Sequence, residues 1–166
     1  MAPTDTPARY RVLFVCLGNI CRSPAAESIF RALVEKEGFG ERIEVDSAGI
    51  IGYHAGEGAD GRMKRHAVRR GYRLASVARA ITEEDFDRFD LIVGMDDDNI
   101  LDLRRKAPSG EHDVVIRKMT DFCNRYDEQE VPDPYYGGDK GFEHVLDLLE
   151  DGCSGLLHCI RLKVFS

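Results

Sequence analysis

Residues 15–24, which read VCLGNICRSP, constrain this chain more than any other segment. The apolar run that precedes them, residues 11–16, is rich in β-forming residues and predicts a buried strand. Ser23-Pro24 is typical of a helix start, because a capping residue is followed by proline at the first helical position. The segment therefore predicts a strand, a tight loop and a helix whose apolar residues recur at helical spacing: Ala26, Ile29, Phe30, Leu33 and Val34.

A loop in this position can bind an anion and activate a thiol. Unpaired N–H groups and the helix dipole favour negative charge there, and Gly18 and Asn19 tolerate the left-handed backbone of tight loops. Arg22 adds a planar fork for two phosphate oxygens. The same positive field favours the thiolate of Cys16, which would attack a bound phosphate in line and without a metal ion.

The rest of the chain alternates strand and helix patterns. Further strands are predicted at residues 43–47, 90–95 and 113–116, and helices at 62–70, 97–106 and 142–162, the last with Gly152 and Gly155 inside it. Long loops are expected at residues 48–61 and 123–141. This order predicts an α/β fold of three layers, in which a four-stranded parallel sheet is flanked by helices on both faces. We expect one domain at residues 10–166 after a flexible tail at residues 1–9.

Composition excludes several classes of function. The chain has 166 residues, is 43% hydrophobic and carries a net charge of −7, which argues against general affinity for nucleic acids. No apolar run approaches the length of a membrane span, and the N-terminal residues lack the apolar core of a signal peptide. We therefore expect a cytoplasmic protein that does not bind membranes and whose five cysteines are mostly free thiols.

The segment VLFVCLGNICRSPAAE resembles the signature of the low-molecular-weight protein tyrosine phosphatases. The resemblance covers nearly the whole chain and continues through DSAG at residues 46–49, GMD at 94–96 and DPYYG at 133–137. It implies the same four-stranded sheet and hydrolysis of phosphotyrosine in protein substrates through a phosphocysteine, with no cofactor and no metal. We expect a monomer or a weak dimer. The phosphate-binding loop would comprise Cys16, Leu17, Gly18, Asn19, Ile20, Cys21, Arg22 and Ser23.

The general acid implied by the resemblance is Asp133. Prolines on both sides stiffen its loop, and a general acid must be held in place to be effective. The resemblance gives it two roles: it protonates the leaving group, and as a carboxylate it then activates water. Tyr135 and Tyr136 would form one wall of the substrate pocket and Tyr53 the opposite wall, and the apolar Ile20 would favour a phenyl ring. The two adjacent tyrosines are also phosphorylation sites in the family.

The resemblance further implies a network of Asn19, Ser23 and Ser47 that shapes the loop and stabilises the thiolate. A histidine often completes this network in the family, and the matching position here is Arg70. His66 is interpreted as a surface histidine on a basic helix. Cys21 is implied as a redox partner that pairs reversibly with Cys16. No second pair of ligands accompanies these two cysteines, so a zinc site is not expected.

Three alternative functions stay open from the sequence. Arsenate reductases share the fold and the loop but need relay cysteines, and this chain has none between Cys21 and Cys123. Protein arginine phosphatases tend to have Thr at the position of Ile20 and lack the double tyrosine. A phosphate-binding module without catalysis would need neither the thiolate of Cys16 nor the acid Asp133.

Overall fold

A four-stranded parallel sheet forms the centre of the protein in the computed structural model, which describes residues 8–134 and 137–165. Its strands are β1 (Tyr10–Cys16), β2 (Ile43–Gly49), β3 (Leu91–Gly94) and β4 (Ile116–Lys118), in the order β2-β1-β3-β4. The central strand β1 is buried from Val12 to Cys16, as its apolar run predicts. The order places β1 between two parallel partners, so its carboxyl end opens at a switch point where ligands bind in such sheets.

Helices cover both faces of this sheet and confirm the predicted three-layer α/β fold. They are α1 (Arg22–Lys36), α2 (Gly61–Arg69), α3 (Asp85–Arg88), α4 (Asp97–Lys106) and α5 (Gly138–Val164). Val12 and Phe14 point into a core shared with α1, α2 and α5, whereas Leu13 and Val15 point towards α3 and α4. The alternation of side chains along β1 thus divides the interior between the two faces. Within the described residues, no helix is both long and apolar enough to cross a membrane.

Two predicted element boundaries were wrong. Residues 113–116 do not form a strand: Gly110–Val115 is a 3-10 helix capped by the Ser109 side chain, and β4 begins only at Ile116. The last helix begins at Gly138 rather than at residue 142. Both errors arise at short polar segments, where side-chain hydrogen bonds rather than apolar periodicity determine the local structure. The predicted tail at residues 1–9 lies mostly outside the described residues.

Gly152 and Gly155 do not interrupt α5, although glycine weakens an isolated helix. They permit close packing against the segment 119–122 instead. A Cβ atom at position 155 would lie 1.8 Å from the carbonyl oxygen of Phe122, and one at position 152 would lie 2.6 Å from the Met119 side chain. The two glycines are therefore sites of close approach between α5 and the chain that follows β4.

Asp151 fixes the beginning of the long loop that leads to Asp133. Its carboxylate accepts hydrogen bonds from the backbone N–H groups of Asn124, Arg125 and Tyr126, at 2.9–3.1 Å. Burial by itself raises the pKa of Asp151, but these N–H donors outweigh it and hold the pKa below its ordinary value. The loop is thus anchored to α5 at one end and reaches the carboxyl edge of the sheet at the other, where the Val131 N–H donates to the Met95 carbonyl.

Candidate active site

The loop between β1 and α1 turns sharply around Asn19. Asn19 has φ of 59°, the left-handed conformation expected for this loop. Gly18 does not have this left-handed conformation. It leaves room for the His54 side chain instead, because a Cβ atom at position 18 would lie 3.1 Å from His54 Cδ2. The first part of the loop is braced by residues that follow β2: Ile50 and Ile51 donate backbone hydrogen bonds to the carbonyls of Cys16 and Leu17, each at 3.0 Å.

Asn19, Ser23 and Ser47 are joined by hydrogen bonds beneath this loop. Asn19 Nδ2 donates to Ser23 Oγ at 2.8 Å and to Ser47 Oγ at 3.0 Å. Asn19 Oδ1 accepts from the backbone N–H of Arg79 at 3.1 Å. All three side chains are buried, so the loop is held from inside by one continuous polar network.

The network continues to Glu27, a residue that the sequence did not indicate. Ser47 Oγ donates to Glu27 Oε1 at 2.6 Å, and Glu27 in turn pairs with Arg31 at 2.8 Å. Arg70, which stands at the position matched to the family histidine, is not part of this network. It pairs instead with three carboxylates of α5, which belong to Glu143, Asp147 and Glu150.

His66 is buried, and its interpretation as a surface histidine is wrong. Only 4% of the residue is exposed. Its ring lies parallel to that of Phe142 at 5.4 Å, and its two nitrogens face Glu143 and Asp139 at 2.5 and 3.2 Å. The apolar pattern of α2 alone could not reveal this contact, because the partners lie more than 70 residues away.

Cys16 lies at the carboxyl end of β1, at the base of the candidate pocket. Its sulfur is 3.0 Å from Ser23 Oγ and accepts a hydrogen bond from the Ser23 backbone N–H at 3.5 Å. Ser23 therefore does not cap α1 as predicted. Cys21 occupies the cap position without a capping side chain, and the Ser23 hydroxyl serves Cys16 instead. The pocket is lined by Cys16, Leu17, Gly18, Ile20, Cys21, Arg22, Ile51, His54 and Asp133.

Arg22 is buried in the wall of this pocket and is held by two acceptors. One of its terminal nitrogens donates to Asp96 Oδ2 at 2.6 Å and to the Val131 carbonyl at 3.0 Å. Burial by itself lowers the pKa of Arg22, but the Cys16 thiolate and the Asp96 carboxylate outweigh it and raise the pKa above its ordinary value. The guanidinium is therefore a fixed positive charge that faces Cys16.

Asp96 has a second role that the sequence did not reveal. Its side chain caps α4, as an aspartate directly before the helix predicted at 97–106 is expected to do, because Oδ1 accepts from the Asn99 backbone N–H at 2.7 Å. The other oxygen orients Arg22, whereas the sequence indicated no role for the 96–98 run beyond capping and solvation. One carboxylate thus couples the start of α4 to the pocket.

Asp133 lines the pocket opposite the loop. Its side chain is 49% exposed, and Oδ2 lies 4.0 Å from Arg22 Nη2. The carboxyl group is therefore close to the guanidinium but accessible to a bound molecule and to water. Tyr135 and Tyr136, the predicted pocket wall, lie outside the described residues.

The loop after β2 contributes His54 and Ile51 to the pocket rather than Tyr53. Tyr53 is 83% exposed, and its ring stands edge-on to that of His54 at 4.9 Å. A contact between Tyr53 and a bound substrate stays a prediction. His54 could not be predicted as a pocket residue, because a single histidine in a glycine-rich loop is usually exposed and unpaired.

Cys21 lies beside Cys16 in the pocket lining but in a different electrostatic environment. Burial first, and then the negative charges of Asp60 and Cys16, raise the pKa of Cys21 above that of an ordinary thiol. Both cysteines are free in this structure. The surroundings of Cys21 thus favour its protonated form.

Comparisons with known proteins agree with this geometry. The family model for low molecular weight phosphotyrosine protein phosphatases matches residues 11–165. A low molecular weight protein-tyrosine-phosphatase of Streptomyces coelicolor is 45% identical over 157 residues, which cover 93% of this chain and 96% of that protein. The chain belongs to the low molecular weight phosphotyrosine protein phosphatase family.

Solved structures show the same similarity. A protein tyrosine phosphatase from Entamoeba histolytica, with Hepes in its active site, superposes with a TM-score of 0.88 at 45% identity. This alignment covers 93% of the present chain and 97% of the other. A Drosophila arginine phosphatase has a TM-score of 0.84 at 31% identity and is covered to 97%, with 90% of the present chain aligned. The fold alone therefore does not distinguish the two phosphoamino acids.

Proposed function

We propose that this protein hydrolyses phosphotyrosine in protein substrates through a phosphocysteine intermediate. One observation carries the proposal: Cys16 lies at the base of a pocket whose wall places the Arg22 guanidinium 4.0 Å from the Asp133 carboxylate. A nucleophile, a fixed cation and an acid thus converge on one small volume. No metal or other cofactor is required, because Arg22 and the loop N–H groups accept the charge of the phosphoryl group.

In the first step, the Cys16 thiolate attacks phosphorus and the bond between phosphorus and the phenolic oxygen breaks. The Ser23 N–H and hydroxyl, at 3.5 and 3.0 Å from the sulfur, stabilise the thiolate before attack. The network of Asn19, Ser23 and Ser47 keeps the loop in the anion-binding shape, so its N–H groups need no reorganisation when phosphate binds.

Arg22 binds two oxygens of the transferred phosphoryl group. Asp96 and the Val131 carbonyl engage the same terminal nitrogen, Nη1, and orient the guanidinium plane towards the pocket. Arg22 is therefore positioned before substrate arrives, which reduces the entropy lost on binding.

Asp133 donates a proton to the leaving phenolate in the first step. As a carboxylate, it then removes a proton from the water that attacks the phosphocysteine and regenerates the Cys16 thiolate and inorganic phosphate. Its partial exposure fits both roles, because the leaving group must depart and water must enter along the same path.

The apolar lining of the pocket favours an aromatic ester. Leu17 and Ile51 are large side chains, each nearly half-exposed, and they flank the pocket with Ile20. These surfaces would contact the faces of a phenyl ring, whereas a guanidinium group would lose hydration against them without new hydrogen bonds. Tyr53, Tyr135 and Tyr136 are proposed to extend this wall around the ring. Protein arginine phosphatase activity is the second candidate, favoured by the similarity to the Drosophila protein.

The remaining roles are also proposals. Residues 10–166 would act as one catalytic domain, in the cytoplasm, as a monomer or a weak dimer. Cys21 would protect the enzyme from over-oxidation: after a peroxide converts Cys16 to a sulfenic acid, the Cys21 thiol displaces water and forms a disulfide. A thiol reductant would restore both cysteines.

Kinetics on the wild-type protein test the proposed function. We expect hydrolysis of 4-nitrophenyl phosphate to be unchanged by EDTA, because no step uses a metal. Acidic peptides that carry phosphotyrosine or phosphoarginine at the same position should then be compared by kcat/KM. The pocket lining predicts a preference for phosphotyrosine of at least about tenfold. A preference for phosphoarginine would replace the proposed function with the second candidate.

A further inference from the structure

The contact between α2 and the start of α5 is built around the buried His66. Each ring nitrogen faces a carboxylate, Nδ1 that of Glu143 and Nε2 that of Asp139. An imidazolium donates to both, whereas a neutral ring can donate to only one. Phe142 stacks on one face of the ring, and the Arg62 guanidinium lies 5.0 Å from the Phe142 ring centre. His66 thus contacts three residues of α5, all within its first six positions.

The start of α5 directly supports the segment that carries Asp133. Pro134 is buried, and its carbonyl accepts from the Gly137 N–H at 3.0 Å. A Cβ atom at Gly141 would be in ordinary contact with Pro134, at 3.8–4.0 Å, so the first turn of the helix packs on this proline. Movement of that turn would therefore move Pro134 and, with it, the adjacent carboxyl group.

Few other side chains fix this turn. Residues 137–140 are exposed, and the first buried side chain of α5 is that of Phe142. The contacts of Phe142, Asp139 and Glu143 with His66 are therefore among the side-chain links between this turn and the body of the protein, and Phe142 also packs in the main hydrophobic core. Glu143 has a further link, because it also pairs with Arg70 at 2.8 Å.

The other end of α2 is tied to the phosphate-binding loop. The Asp60 N–H donates to the Ile20 carbonyl at 2.8 Å, and the Asp60 side chain caps α2 through the N–H groups of Arg62 and Met63. The helix α2 therefore connects two parts of the site. Its beginning contacts the phosphate-binding loop, and His66, two turns later, contacts the start of α5. This helix sets the spacing between the nucleophile loop and the acid segment.

We propose that His66 is a positioning residue for the general acid: by binding Asp139 and Glu143 and stacking on Phe142, it fixes the first turn of α5 and thereby the placement of Asp133 over Cys16. This inference rests on the proposed function, since it assigns a role relative to the acid. His66 does not touch the substrate. Its effect reaches the reaction only through Pro134 and Asp133.

The variant His66→Phe tests this role. It keeps the stacking on Phe142 and removes both hydrogen bonds, while Glu143 retains Arg70 and the exposed Asp139 returns to water. The measurement is kcat/KM for phenyl phosphate and for 4-nitrophenyl phosphate. Phenolate is the poorer leaving group and depends more on protonation by Asp133. Since a well-placed acid contributes ~10²–10⁴-fold, we expect a decrease of roughly tenfold for phenyl phosphate and less than about threefold for the nitrophenyl ester.

The variant Tyr72→Phe provides the matched control. It removes a hydrogen bond of 2.7 Å from Tyr72 to Glu150, which also links the region of α2 to α5 but far from Asp133. We expect it to leave the ratio of the two kcat/KM values unchanged. If His66→Phe fails to fold, Asp139→Asn provides the test at an exposed position, with a smaller shift of the ratio in the same direction.

The outcomes separate this inference from the proposed function. Equal decreases for both esters, or none, in a folded His66→Phe protein would overturn the positioning role while the wild-type enzyme stays active. A wild-type protein that hydrolyses neither ester would overturn the proposed function and the positioning role together.

Discussion

Replacement of Cys16 by serine is expected to abolish hydrolysis of aryl phosphates, with a loss of kcat/KM on the order of 10⁴-fold or more. A serine hydroxyl is similar in size but stays protonated at neutral pH, and the described hydrogen-bond partner of position 16 is Ser23. The Ser23 hydroxyl, 3.0 Å from the sulfur, is a hydrogen-bond donor for a thiolate and not a base. The loop and Arg22 are unchanged, so binding of inorganic phosphate should persist.

Two measurements make this expectation specific. Thermal unfolding and phosphate binding of Cys16→Ser should match the wild type, which would show that the loss of activity is chemical. Cys159→Ser, at a half-buried cysteine of α5, is the control for a change from sulfur to oxygen elsewhere. We expect its kcat/KM to stay within about twofold of the wild-type value, as is usual for substitutions away from the reacting groups. A folded Cys16→Ser protein with substantial turnover would contradict the mechanism.

Gly155→Ala is expected to cause the largest loss of stability, about 3 kcal/mol or more in the free energy of unfolding. The new Cβ atom would lie 1.8 Å from the Phe122 carbonyl oxygen, which belongs to the backbone and cannot rotate away. Relief requires α5 to move from the segment 119–122, and this movement would also open the core around Met119. The shift of the urea midpoint measures the effect.

The same helix offers a control for this substitution. A Cβ atom at Gly141 would meet Pro134 only at 3.8–4.0 Å, an ordinary contact distance. Gly141→Ala should therefore be neutral or should stabilise the protein by about 0.5–1 kcal/mol, since alanine favours the helix. A Gly155→Ala protein as stable as Gly141→Ala would show that α5 and segment 119–122 do not pack as described.

The sequence could predict those parts of the fold and site that local pattern controls. The strand, loop and helix around Cys16 followed from an apolar run, a turn residue and a proline, and the structure places them as β1 and α1. The left-handed Asn19 followed from side-chain chemistry in the same way. These features depend on neighbours within a few residues, so their signal is present in a single segment.

The parts that could not be predicted depend on partners distant in the chain. Asp96 caps its own helix, as expected, but its contact with Arg22 spans 74 residues. Glu27 joins the loop network only because β2 brings Ser47 beside α1, and His66 is buried only because α5 packs on α2. The resemblance left the fourth member of the network open, because matching residue positions does not show which side chain reaches the loop; the structure places Glu27 there.

The role of Gly155 illustrates the same limit for packing. Glycine within a helical pattern predicts a less stable helix, because the loss of helix stability depends on the glycine alone. The gain from close packing depends instead on a segment that is distant in the chain. The benefit becomes visible only when the Phe122 carbonyl is found at the position that a side chain would occupy.

Direct detection of the phosphocysteine tests the central claim. In Asp133→Asn, nitrophenolate can leave without an acid, but the water that attacks the intermediate lacks its base, so the phosphorylated protein should accumulate. After rapid denaturing quench of that variant with 4-nitrophenyl phosphate, mass spectrometry of the peptides should find one phosphoryl group, on the sulfur of Cys16. A phosphoryl group on Ser23 or Ser47, or turnover with no phosphorylated protein at any time, would contradict the account.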